Sequence, residues 1–281
     1  MRWRGRRGSR NIEDRRGRRP MGRAAGIGGL GAVLLVVAGA FFGVDLTPLL
    51  QGNAPPPSAT RQPTAADQQA GQFVSVALAD TEDVWRQIFE RQLGQNYDPP
   101  VLVLFTGVTQ SPCGGASGAT GPFYCPLDSK IYLDTAFFTT LSQRLGAGGD
   151  FAAAYVVAHE VAHHVQHELG ILEQTHRARA SSSDVESNRI SVQVELQADC
   201  FAGIWARYAR DALGTLEPGD VEEAMNAAKQ IGDDTLQRNA GQAPRPHTFT
   251  HGTSQQRQAW FARGYESGSV RACDTFAPGT P

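Results

Sequence analysis

Apolar positions recur at helical spacing over five stretches of the chain and at strand spacing over two, which predicts an α+β protein with a small sheet and a mainly helical C-terminal half. Between Gln72 and Leu93, the residues Phe73, Val76, Ala77, Val84, Ile88 and Leu93 suit one or two helices, with Trp85 and Phe89 available to pack. From Asp150 to Gly170, a stripe of Phe151, Tyr155, Ala158, Ala162, Val165 and Leu169 predicts a helix that Asp150 can cap and Gly170 can end. Ser183 and Glu186 form a capping-box pattern opening a long helix through Leu213, with Val194, Ala198, Phe201, Trp205 and Tyr208 as its core stripe. A further helix is expected from Asp220, with Glu223 completing its box, to about Ile231. The last runs from Thr253, with Gln256 three residues on, to a stop before Gly268. Val101–Phe105 reads as a buried strand, Lys130–Asp134 alternates as a strand, and Thr175–Ser183 is polar and reads as a loop.

Ahead of this pattern lies a different kind of sequence. Residues 24–44 carry no charge, about 31 Å of helix at roughly 1.5 Å per residue, enough to cross a bilayer core. The stretch is longer than the usual apolar core of a signal peptide and is followed by no clear A-x-A site, so an uncleaved anchor is the reading adopted. Residues 1–23 hold ten arginines against Glu13 and Asp14, a net of +8, which leaves −10 on the remainder. Nucleic-acid binding is one reading of such a run. Beside an anchor, a cytoplasmic flank is the simpler one, and no nucleic-acid partner is expected. The expected organisation is a cytoplasmic segment (1–23), a transmembrane anchor (24–44), a Pro-rich linker (45–70) and an extracytoplasmic domain (71–281), whose length and 41% hydrophobic content allow one sizeable core.

The chemistry sits on the predicted helix at 150–170. His159 and His163 lie four residues apart and can offer two imidazole nitrogens to one ion; Glu160 is rotated by about 100°, beside the ion rather than on it. This is H-E-x-x-H, the arrangement of a catalytic zinc with a general base, and such a site needs a third protein ligand and an open position. The three-histidine continuation would need glycine at Gln166 and histidine at Leu169 and is excluded. Thirty-two residues after His163, Glu195 and Asp199 are again four apart, so one carboxylate can bind zinc while the other accepts the spare N–H of a liganding histidine. His164, His167 and His176 enrich the same region without sharing the spacing. A looser metal-buffering cluster is the weaker reading of them. The four cysteines can pair three ways; Cys113 with Cys125 is local, and Cys200 with Cys273 is what it leaves.

Two helices bearing H-E-x-x-H and then E-x-x-x-D resemble the gluzincin metallopeptidases. More closely, residues 121–126, 159–166, 195–205 and 251–257, with Arg2-Trp3 and residues 11–17, resemble a membrane-anchored bacterial family of neutral zinc metallopeptidases. The resemblance implies a zincin-like domain in which a small sheet packs on the zinc helix, one catalytic Zn²⁺ held by His159, His163 and Glu195, Asp199 behind a histidine, and Glu160 as base. It implies that Gly121 to Asp134 is an edge along which extended substrate pairs. It also implies that His251 stabilises the oxyanion, where His247, Tyr265 and Tyr155 are alternatives and a helix-capping histidine is the plainer role. The expected activity is hydrolysis of peptide bonds in a peptide or protein substrate. A catalytically silent, zinc-stabilised peptide-binding module is the alternative, and the presence of Glu160 counts against it, since a structural ion needs no base.

Overall fold

The computed structural model describes residues 1–17, 63–117 and 121–280. The first of these segments differs from expectation: residues 1–17 are not a flank separate from the domain but part of its sheet. Ile12–Asp14 form β1, which pairs in parallel with β2 (Val101–Phe105), Ile12 facing Leu102. The uncharged stretch 24–44 lies outside the described residues. Among the described residues no helix is long and apolar enough to cross a membrane.

The stretch expected to be linker up to residue 70 is already helical at its end. Thr64 accepts the Asp67 backbone N–H at 3.2 Å and the Asp67 carboxylate accepts the Thr64 N–H at 2.8 Å. That reciprocal cap starts α1 at Ala65, and the helix runs to Ile88. One π-type turn (Phe89–Leu93) follows and stops at Gly94, whose φ of 66° a residue with a Cβ adopts only at a cost.

The main sheet has the order β1-β2-β6-β5. β6 (Lys130–Asp134) runs parallel to β2, and β5 (Phe123–Cys125) pairs antiparallel to β6 at the far edge. The two-residue period divides the inner strands between two cores. Leu102, Leu104, Ile131 and Leu133 face the helices, while Val103, Phe105 and Tyr132 face a hairpin of β3 (Val108–Ser111) and β4 (Gly114–Ser117), where Ala116 is buried. The Cys113–Cys125 disulfide ties the turn of this hairpin to β5.

The helical layer is α2 (Ala136–Gln143), α3 (Asp150–Glu168), α4 (Ile171–Ala180), α5 (Asp184–Asp211), α6 (Asp220–Gln230), α7 (Asp233–Asn239) and α8 (Ser254–Ser267). α3 lies between the sheet and α5, with α6 and α1 against it. α5 and α8 approach closely because glycine stands at both contact points. A Cβ at Gly203 would lie 2.0 Å from the Phe261 carbonyl oxygen, and one at Gly264 1.8 Å from that of Cys200. The Cys200–Cys273 bridge forms as expected and holds the C-terminal segment on α5. The Thr253–Gln256 box and the Gly268 stop are also as expected.

Three local expectations are corrected. Residues 175–180, read as loop, belong to α4, because Gly170 at φ 72° reverses the chain and lets a second helix start at once. Asp150 does not cap α3. The Phe151 N–H is instead accepted at 3.0 Å by Glu223, which is thereby taken from the box expected on its own helix. Asp150, with Asp220, holds the Met1 amino group at 2.5 and 3.2 Å.

Candidate metal centre

α3 places His159 and His163 one turn apart, with ring centroids 4.8 Å from one another, and α5 crosses so that Glu195 faces both. Glu195 Oε2 lies 3.1 Å from His159 Nε2 and its Oε1 3.5 Å from His163 Nε2, and one donor atom from each of the three residues lies within 4.8 Å of the others. Two imidazole nitrogens and one carboxylate are the donor set of a three-ligand zinc site with room for a further ligand.

Both imidazoles are held from behind. The Asp199 carboxylate lies 2.9 Å from His159 Nδ1, and the Gln166 side-chain oxygen lies 2.8 Å from His163 Nδ1. Both are acceptors, so each ring donates its Nδ1–H to them and turns Nε2 toward the common point. Asp199, fully buried, also accepts from Tyr155 Oη at 2.5 Å and from Arg257 through Nε at 2.8 Å and Nη2 at 3.0 Å. Gln166 in turn donates to the Val194 carbonyl and to Gln197, whose amide donates to the Cys273 carbonyl. The second disulfide therefore stands at the end of a chain of hydrogen bonds from His163.

The electrostatics follow from this burial. Burial works against a charged His159, but the hydrogen bond and charge of Asp199, with Glu195 on the other side, outweigh it and hold the imidazole up to about 10. Burial likewise opposes the Glu195 carboxylate, yet the His163 charge and the bond to His159 keep it well below the usual range. Glu160 is different: it is buried, it lies outside the donor set, and desolvation raises its carboxyl against the pull of His163 and His159.

His251 lies in the loop before α8, whose Gly252 packs against Val192 and Leu196 of α5. Its half-exposed ring holds Asp233 Oδ1 at 3.2 Å through Nδ1. The backbone N–H groups of Thr250, His251 and Gly252 all donate to Asp233 Oδ2. Burial lowers the His251 imidazole, while Asp233 and the charge of Glu195 raise it, with a net rise. The alternatives stand elsewhere: Tyr265 bonds Arg210, Tyr155 is spent on Asp199, and His247 is exposed in the turn Pro246–Thr248. His164 and His167 point the other way, to the Tyr124 hydroxyl of β5 at 3.1 and 2.6 Å, and burial pushes His164 down to about 4. His176 is exposed on α4.

Three residues of this constellation have no role in the sequence reading. Arg257 and Asp233 give no periodic signal; their function depends on partners 58 and 18 positions away. Gln166 enters there only as the residue that rules out a third histidine.

Fold and site together describe a zinc-peptidase-like centre, and the chain belongs to the family described as "Putative neutral zinc metallopeptidase", which matches residues 1–276. It is 46% identical over 285 residues to the Uncharacterized protein YpfJ of Escherichia coli (strain K12), covering 98% of this chain and 99% of that one. It is 40% identical over 228 residues to the Uncharacterized protein Rv2575 of Mycobacterium tuberculosis (strain ATCC 25618 / H37Rv), covering 76% of this chain and 74% of that one. No solved structure matches.

Proposed function

We propose that the protein is a zinc-dependent endopeptidase in which His159, His163 and Glu195 hold one ion and Glu160 is the general base. The observation that carries this reading is a separation of tasks within the site. Two histidines engaged from behind converge with Glu195, and a fourth residue, the buried acid Glu160, stands beside them with a raised carboxyl and no part in the donor set. A zinc ion held there would supply Lewis acidity, making a water more acidic and polarising a carbonyl.

The rest falls to the chain. Glu160 accepts a proton from the attacking water and returns it to the leaving amine; a carboxyl raised toward neutrality by burial does both more readily than an exposed one. His251, oriented by Asp233, offers a hydrogen bond to the oxyanion from the half-exposed side of the site. β5 is one edge of the main sheet, and its Tyr124 is bonded to His164 and His167 of α3, the helix that carries the metal-site histidines. Such an edge can pair with an extended peptide, which fits peptide as the substrate. The same edge would serve a binding module, so Glu160 decides between the two readings.

Glu160→Gln removes the base and keeps every donor. Assayed on a peptide library near neutral pH, it is expected to bind zinc as the wild type does and to lose cleavage by roughly 10²–10⁴-fold. Wild type and variant both leaving every peptide intact, while binding some of them equally, would replace hydrolysis with the zinc-stabilised binding module.

A further inference from the structure

The first seventeen residues are built into the domain so thoroughly that they constrain where the whole chain can lie. β1 contributes a full strand: the Leu102 N–H donates to the Asn11 carbonyl and the Arg15 N–H to the Leu104 carbonyl, both at 2.8 Å. Before it, Ser9 N–H donates to Ser75 O of α1 at 2.9 Å, and Trp3 packs edge-on against Phe73 with centroids 5.4 Å apart. Two of the arginines that suggest a freestanding cytoplasmic flank are counter-ions to acids of α1. Arg6 meets buried Asp80 at 2.8 Å, and Arg7 meets Asp83 at 2.9 Å and Glu82 at 3.6 Å. In the other direction Glu13 accepts from Lys130 of β6 at 2.7 Å.

The two ends of segment 18–62 are also neighbours. Arg16 donates to the Asp67 carbonyl in the first turn of α1, and a Cβ at Gly71 would lie 2.5 Å from its guanidinium. The chain thus leaves the domain after Gly17 and rejoins it at Pro63 from one corner.

We infer that residues 1–17 and the domain from residue 63 onward occupy the same side of any membrane. A strand cannot hydrogen-bond to its partner through a bilayer, so the number of crossings between β1 and α1 is even. An even number is at odds with the single crossing expected from sequence, and the inference is independent of the peptidase reading.

The geometry supplies its own test. A Cβ at Gly8, which is not in the left-handed region, would lie 3.5 Å from Ser75 Cβ, within the range that a disulfide spans. The full chain carrying Gly8→Cys and Ser75→Cys is oxidised with diamide in intact cells, alkylated before lysis, and mapped with trypsin without reduction. The expected result is the peptide of residues 8–10 linked to that of residues 62–86. A second measurement uses Arg10→Cys and, separately, Leu127→Cys, both at exposed positions, with a membrane-impermeant maleimide added to spheroplasts. Both sites labelling, or both being protected until lysis, supports one compartment. Labelling of Leu127→Cys with protection of Arg10→Cys, together with no linked peptide, overturns the inference and restores a single crossing.

Discussion

α3 carries two clusters of three titratable side chains whose donor atoms come within 4.8 Å of one another, one at its first turn and one in its second half, and they are opposites. At the first turn, Asp150 is joined by Asp220 and Glu223 from α6. Their oxygens are already occupied: Asp150 and Asp220 by the Met1 ammonium, Glu223 by the Phe151 N–H. In the second half, His159 and His163 are engaged from behind, by Asp199 and Gln166, and turn their remaining nitrogens to Glu195. Proximity of ligand-type residues therefore does not distinguish a metal site from an ion pair. What distinguishes them is whether the hydrogen bonds fall on the inward atoms or on the outward ones.

The largest expected effect beyond that of Glu160→Gln concerns the support of the second cluster. Arg257→Met leaves the Asp199 carboxylate fully buried without its cation. It should lower stability by about 3–5 kcal/mol in denaturant unfolding without zinc, the magnitude typical of a broken buried pair. A loss under 1 kcal/mol would mean that Tyr155 and His159 suffice to hold Asp199.

Next in size is Asp199→Asn, which keeps the shape and removes the charge behind His159. Zinc affinity, measured by chelator competition, should fall roughly 10–100-fold. An unchanged affinity would show that the ring is held by packing alone.

The two clusters should also answer pH in opposite directions. His159, held up to about 10 by Asp199 and Glu195 against burial, is protonated at neutral pH, and zinc must displace that proton. Affinity should therefore rise about tenfold per pH unit between pH 6 and 8, and a flat profile would remove His159 from the donor set. At the first turn, burial works against the Met1 ammonium, yet Asp150 and Asp220 raise it above its usual 8.0. A group raised on folding stabilises fully below its unfolded value and loses that contribution as pH climbs through the folded one, so this end weakens on the alkaline side.

The smallest effect tests the same ammonium. Asp150 is 39% exposed, so Asp150→Asn is expected to cost only about 1 kcal/mol, flattening the alkaline loss while leaving the zinc stoichiometry unchanged. A fall in bound zinc would show that the first-turn cluster is a metal site after all.

The readable parts of this chain were those whose signal is local. His159, Glu160 and His163 share one helix turn, Glu195 and Asp199 another, and both pairs are set by the helical repeat alone. The Thr253–Gln256 box and the Gly268 stop are local in the same way, and so was the strand 101–105, a continuous apolar run. The misreadings came from residues that serve two elements. Asp150 and Glu223 look like caps of their own helices, but a buried ammonium and a neighbouring helix end bind them more strongly.

The residues by themselves determined the two i, i+4 pairs, the amphipathic helices that carry them and an even set of cysteines, because backbone periodicity and covalent chemistry act over a few bonds. Only the tertiary structure decided that Arg257 closes over Asp199, that Gln166 stands behind His163 and that Asp233 orients His251. It also decided that residues 12–14, ahead of a stretch that reads as an anchor, are the edge strand of the sheet. Those choices are made by burial: a carboxylate or a strand edge withdrawn from water must find its partner wherever the fold brings one, and sequence distance does not enter that requirement.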